Sequence, residues 1–307
     1  QIISKNASLF SHLVNNSGVV EATGAQLGEG GVIRFIAQGD ALVGGQVLAE
    51  SNSGKGGEID ITGNRVAVLD GARVSADGAT GGGTVHIGGG WQGQDATLAN
   101  SQQTIVQANA DVSANAIQNG DGGEVVVWAD GHTVVNSEVQ AKGGAQGGNG
   151  GRVETSGKET LAVNVAANTS APNGEAGQWL IDPANLTIVD EIPQGGFNLE
   201  NSSQSPFFST DDISSTFSPT ESFLLNSTVV AGLESNGFVQ IFTTGTQPGD
   251  GNLTISAPVL ISQNTSQSTG INPRLFLEAK GEINIDAAVG LNPGQTVFDG
   301  FDLFLSY

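Results

Sequence analysis

Gly122–Gly157 reads GGEVVVWADGHTVVNSEVQAKGGAQGGNGGRVETSG. A glycine pair opens the stretch and a Val/Trp run follows. A second run leads to another glycine pair, and the unit begins again at Arg152-Val153-Glu154-Thr155. The glycines exclude a helix, since each costs about 1 kcal/mol there relative to Ala. The Val runs alternate with polar residues, which is the period of a strand. The unit therefore reads as strand, turn, strand and Gly-rich turn.

Working outward, the same unit recurs. Glycine pairs stand before strand-like runs at Gly30-Gly31, Gly56-Gly57, Gly82-Gly83, Gly122-Gly123 and Gly150-Gly151, and Gly174 with Gly177 continues the rhythm. The steps between second members are 26, 26, 40, 28 and 26 residues. The runs that follow are alike: VIRFIA, EIDITG, TVHIGG, EVVVWA, RVETSG and QWLIDP. The 40-residue step holds the extra GGGWQGQDATLANSQQ, Gly88 to Gln103, which predicts a loop on one face of the array. One unit of this size cannot bury its own apolar face. Stacked units can, with a strand spacing of about 4.8 Å and glycine supplying positive φ at the corners. Asn119-Gly120, Asp77-Gly78 and Gly143-Gly144 are assigned the same turning role. The chain is thus expected to be all-β, a right-handed parallel β-helix with protruding loops and one short helix. At one coil per ~26 residues it would hold about eleven or twelve coils over roughly 50–55 Å. A β-sandwich or up-and-down barrel also has many short strands, but it does not require equal spacing of similar segments. Ile59, Val85, Val125 and Val153 should form one column.

Composition agrees with an extended, polar, strand-rich molecule. Gly contributes 46 of 307 residues, hydrophobic residues 37% and charged residues 13%. Net charge is −21, from 31 acidic and 10 basic residues. Such a surface repels phosphate backbones and anionic lipid, so neither nucleic acid nor direct membrane insertion is expected. There is no Cys, hence no disulfide and no thiolate chemistry. No signal peptide and no run of 18 apolar residues occurs, and the first residue is Gln1, so the sequence reads as a piece of a longer chain.

The second part differs. Only 10 of the 46 Gly follow Gly196, whereas 11 of the 13 Phe do. Residues 1–189 read as Gly-rich coils and 190–237 as an excursion, with Phe207, Phe208 and Phe217 available to pack on the rod. Residues 238–307 read as further coils. Leu224, Val229, Val230 and Leu233 have helical spacing, with Ser227 as N-cap and Gly237 as stop, which predicts a helix of one or two turns.

At Gln178 to Val189 the chain reads QWLIDPANLTIV. With GDGGEVVVWADG, KGGAQGGNGGRVETSG and the earlier repeats, this resembles the filamentous-haemagglutinin-like exoproteins of bacterial two-partner secretion, and in its WLIDP segment the high-molecular-weight adhesin branch. The resemblance spans Ser17 to Val189 and, more loosely, the remainder. The family's Asn-Pro-Asn-Gly-type turn does not occur, so contact with a transporter cannot be placed on named residues. The resemblance implies a secreted or outer-membrane-associated surface protein with a β-helical shaft. Its implied partners are an outer-membrane β-barrel transporter and a host or neighbouring-cell glycan or protein. The matching positions include Trp179, Leu180, Asp182, Pro183 and Asn185, with a structural role.

Residues able to carry chemistry are few. His86 and His132 occupy similar places in their repeats, and stacking could bring them together, but without Cys or a His-x-Asp pattern they read as surface or turn residues, as does His12. Asp70, Asp77, Asp121, Asp130, Asp250 and Asp299 sit beside Gly; with no calcium-binding nonapeptide they read as turn residues. The Asn-x-Ser/Thr strings, such as those at Asn6, Asn168 and Asn264, are what chance supplies in so Asn/Ser/Thr-rich a chain. Carboxylates on a β-helix flank can form a polysaccharide lyase or hydrolase site, yet only Arg274 and Lys280 follow Lys158 to hold an acidic sugar. No catalytic residue, cofactor or metal is expected, and the chain is not expected to be an enzyme. Trp128 lies in an apolar run and reads as core; Trp91, in the insertion, reads as a surface residue suited to sugar stacking.

Overall fold

The chain is a right-handed parallel β-helix. The computed structural model describes residues 2–4, 6–22, 30–191, 222–236, 238–245, 250–261, 273–291 and 301–306. The expected packing of Phe207, Phe208 and Phe217 and the stop at Gly237 lie outside them. One face is a ten-stranded sheet formed by β1 (Asn6–Ser11), β2 (Val32–Ala37), β3 (Glu58–Thr62), β4 (Thr84–Ile87) and β5 (Glu124–Ala129), followed by β6 (Arg152–Gly157), β7 (Gln178–Ile181), β8 (Phe238–Thr243), β9 (Arg274–Ala279) and β10 (Asp302–Ser306). A second face also has ten strands. The third has a six-stranded sheet and, further along, a two-stranded one. Every described pair of neighbouring strands runs parallel, as β2 does with β3 and β8 with β9.

Register is set by the apolar column. Ile33 pairs with Ile59, Ile59 with Val85, Val85 with Val125 and Val125 with Val153. The column continues through Trp179, Val239, Leu275 and Leu303. The members from Ile33 to Leu275 are fully buried. Such a column keeps its register because a slip of one residue would turn every apolar side chain outward. Among the described residues the long sheet has ten strands, not eleven or twelve, because two of its steps are longer than 26 residues: 40 residues separate Val85 from its partner Val125, and 60 separate Trp179 from its partner Val239. Ten strands span roughly 43 Å.

The glycine corners work differently from expectation. A Cβ on Gly57, Gly123 or Gly151 would stand 2.0 Å from the carbonyl oxygen of Gly31, Gly83 or Gly123, one coil away. None of these glycines has positive φ; Gly120 does, whereas Gly78, Gly143 and Gly144 do not. The pairs are glycine because successive coils touch backbone to backbone there.

The one described α-helix, α1 (Asn226–Asn236), is longer than expected. It begins at Asn226, whose Oδ1 accepts from the Ser227 N–H at 2.7 Å, so Ser227 lies inside the helix. Leu224 is not helical but belongs to the strand Ser222–Leu225. That strand slots between Thr160–Val163 and Leu186–Val189 on the second face. The helix packs against β7, β8 and Val259–Ile261, burying Val229 and Leu233. A Cβ on Gly232 would meet the Trp179 ring at 2.6 Å, so the helix backbone rests directly on that indole.

Candidate functional site

Strand β2 alternates between buried and half-exposed residues, as a sheet with one wet face should. In β5 and β6 every residue after the first is buried. Their outward side chains are covered by residues 88–102, the insertion between β4 and the strand Gln103–Val106. This cover is the predicted protruding loop, but it folds back onto the shaft. Trp128 on β5 is its anchor. A Cβ on Gly93 would stand 2.5 Å from Trp128 Cε2, so the cover crosses the indole at backbone distance. The indole Nε1 donates to Asp130 Oδ1 at 3.1 Å, and Asn100 Nδ2 donates to the same oxygen at 3.1 Å. Trp128 is therefore only 4% exposed, as expected, but it lies on the outside of the coil rather than in its central core. Trp91 is half-buried, with the Arg152 guanidinium 4.6 Å above its ring.

The charged residues beside the cover form a ladder. Arg34 Nε contacts Asp60 Oδ2 at 2.9 Å, His86 Nδ1 lies 2.9 Å from Asp60 Oδ1, and His86 Nε2 lies 3.2 Å from Glu124 Oε1. Arg152 pairs with Glu124, and Arg34 also pairs with Glu58. Burial works to lower the His86 pKa, but hydrogen bonds to Asp60 and Glu124 and the charges of both raise it to about 9. Burial likewise works to raise Asp60, yet its hydrogen bonds with His86 and Glu58, together with the charges of His86 and Arg34, hold it below the usual carboxylate value. His86 is consequently an imidazolium at neutral pH with both nitrogens occupied. It has no lone pair for a proton or a metal.

Beneath the cover lie two acids that form no ion pair among the described residues. Glu154 on β6 is fully buried, and its Oε2 accepts from the Gln92 N–H at 2.7 Å. Its Oε1 makes no hydrogen bond of ordinary geometry, and the Ser156 hydroxyl beside the carboxyl offsets its burial only in part. Asp182 is 2% exposed; it accepts from Thr244 Oγ1 at 3.3 Å and hydrogen-bonds the Gln92 side chain. Gln92 joins the two acids from a left-handed backbone, φ 52 and ψ 23, which is unfavourable for a residue with a Cβ. Burial first, then the nearby charges of Asp182 and Glu124, push Glu154 up to about 8. Burial first, then the charge of Glu278, pushes Asp182 up to about 7.

An open groove of about 650 Å³ adjoins the cover. Its walls include Lys55, Arg152, Gln178 and Phe238, and Gly123, Gly151 and Gly177 contribute to its lining.

The residues matching the family motif are distributed rather than gathered. Trp179 points into the core and donates from Nε1 to Thr155 Oγ1 at 2.9 Å. Leu180 is its neighbour on the opposite face, between Glu154 and Gln240. Pro183 pairs with Gly157 across the coil boundary. Asn185 Oδ1 accepts from the N–H groups of both Gly251 and Asn252 at 2.9 Å, tying one coil to the next. His86 and His132 are not brought together: His86 is on the long sheet, whereas His132 begins a strand of the second face and lies 2.6 Å from Thr160 Oγ1. Asp77 is 2.6 Å from the Asn115 N–H and Asp121 is 2.7 Å from the Asn149 N–H, so these turn aspartates bridge coils. Among the described residues no three His, Asp or Glu side chains converge as a metal would require.

Sequence reasoning missed Glu154, Asp182 and Gln92 as a group. The visible signal was the uninterrupted Val125-Val126-Val127-Trp128, which already demands burial of both faces of β5. The chain matches no protein-family model and no curated protein. Its classification therefore stands on the fold: a rigid, repetitive β-helical scaffold with one covered flank.

Proposed function

We propose that this chain is a shaft segment of a secreted bacterial surface adhesin, exported by two-partner secretion, that mediates or displays attachment at the cell surface. The observation that carries the reading is the unshifted register of the column from Ile33 to Leu303, a geometry suited to holding one end of a protein away from the other. The QWLIDPANLTIV and Gly-rich strings support the family, and the net charge of −21 suits an exposed, soluble surface. In this reading an outer-membrane β-barrel transporter carries the chain out. A glycan or protein on a host or neighbouring cell is its contact, and catalysis plays no part. The occupied nitrogens of His86 and the covered positions of Glu154 and Asp182 favour a fastening role over turnover. Among the described residues no helix is long and apolar enough to cross a membrane.

The test joins the full 307-residue sequence to an export region of this class and expresses it with the matching transporter. The expected result is surface display together with attachment of the displaying cells to other cells, competed by the free chain. Display without attachment would favour a stalk for another effector, and turnover of a polysaccharide would replace the reading with an enzymatic one.

A further inference from the structure

The insertion does more than protrude. It encloses two carboxyl groups and seals them with a strained residue, and among the described residues neither carboxyl forms an ion pair. We propose that residues 88–102 form a proton-operated cover, which lies on the outer face while Glu154 and Asp182 are neutral and lifts when both become charged, uncovering Trp128 and the adjoining strands.

The argument begins with geometry. The Glu154 carboxyl is fully buried; its Oε1 makes no hydrogen bond of ordinary geometry, and the Ser156 hydroxyl beside the carboxyl offsets its burial only in part. Such a group is tolerable as a neutral acid and very costly as an anion. Asp182 lies beside it, joined through the same Gln92, so ionisation of either raises the cost of ionising the other. The charged groups around the pair offer no relief. Glu124 on β5 is negative and already shared by His86 on β4 and Arg152 on β6. Arg152 is further held over Trp91 of the cover itself. Glu278 on β9 acts on Asp182 with the wrong sign, and Asp130 at the end of β5 accepts the Trp128 and Asn100 bonds. Asp95 of the cover is half-buried and turned to Thr97. Lifting the cover returns both acids to water and frees Gln92 from its left-handed conformation. Its hinge is narrow: the Ser101 N–H donates to Gly88 O at 2.7 Å, closing the base of the loop.

The direction of the pH response follows. Both acids have raised values in the closed state, about 8 for Glu154 and about 7 for Asp182. The stabilisation due to their protons is complete below ordinary carboxylate values and is lost as pH rises through 7 to 8. The cover therefore opens with alkalinity, not acidity.

The experiment uses acrylamide quenching of tryptophan fluorescence in the full chain from pH 6 to 9.5. Hydrogen exchange of residues 88–102, corrected for the intrinsic effect of pH, is the second readout. Trp91 and Trp128 report on the cover, and Trp179 in the core gives a steady background. The opening constant is expected to rise at least about tenfold across this range. In the Glu154→Gln/Asp182→Asn chain it should stay flat, with far-UV circular dichroism verifying the fold. If the double variant does not fold, Glu154→Gln alone should reduce the rise. A flat response in the native chain overturns the proposal. So does an equal response in the variants, which would assign the titration to His86.

Discussion

The coil at β2 and the coils at β5 and β6 use the same inner column, yet they present opposite outer faces. On β2 the outward Arg34 and Ile36 are half-exposed, whereas on β5 and β6 the outward Val126, Trp128, Glu154 and Ser156 are buried. The difference teaches that the shaft is made by the inner face and the corners, and that the outer face is free to acquire something else. Here it acquired a second, smaller core beneath residues 88–102.

The sharpest break of this comparison is at a corner that both regions share. Gly151→Val would place a side chain where even a Cβ comes within 2.0 Å of Gly123 O, so a loss above about 4 kcal/mol, or failure to fold, is expected in urea unfolding. Gly71→Ala is the control. It has φ of +72 but nothing near its missing Cβ, and should cost only about 1 kcal/mol. Comparable losses in the two variants would show that corner conformation, not coil contact, demands glycine.

Next, Trp128→Ala should cost about 3 kcal/mol and admit protease to residues 88–102, because it removes the anchor of the covered face. Phe242→Ala, on the half-buried outer side of β8, should cost about 1 kcal/mol. Equal costs would abolish the distinction between bare and covered coils.

A smaller effect than at the corner or the anchor concerns the ladder that joins the two regions. His86→Ala should cost about 2 kcal/mol near neutrality, since it takes one of two charged partners from each of the half-buried or buried acids Asp60 and Glu124. The His86 value is raised in the folded state, so its advantage is complete below about 6.5. It declines as pH rises and is gone above about 9. The difference between native and variant chains in urea should shrink over that window.

Much of the shaft was legible in the residues, because a period of 26 with a glycine pair at each corner forces like residues to overlie. Ile59, Val85, Val125 and Val153 do share one column. The reason for the glycines was not legible: a one-dimensional reading finds turns but not the neighbouring coil, and it is the neighbour's carbonyl that excludes a side chain. The Leu224 assignment failed because apolar residues at helical spacing also suit a short strand followed by a helix. The site was least visible. Gln92 and Glu154 are 62 residues apart and meet only because the insertion lies across β5 to reach β6. In RVETSG, Glu154 looks like an ordinary solvated acid until its cover is known.

The strand Ser222–Leu225 has a consequence for how the molecule comes into being. On the long sheet, β7 lies directly upon β6, but on the second face the same turn of chain is held one strand further off by a segment synthesised later. A rod threaded from its leading end can add each turn to the last as it arrives, until this point. There Leu186–Val189 has to wait for, or yield to, Ser222–Leu225. Stepwise winding gives way to a concerted closure of segments distant in sequence, which is slower because they must be brought together first.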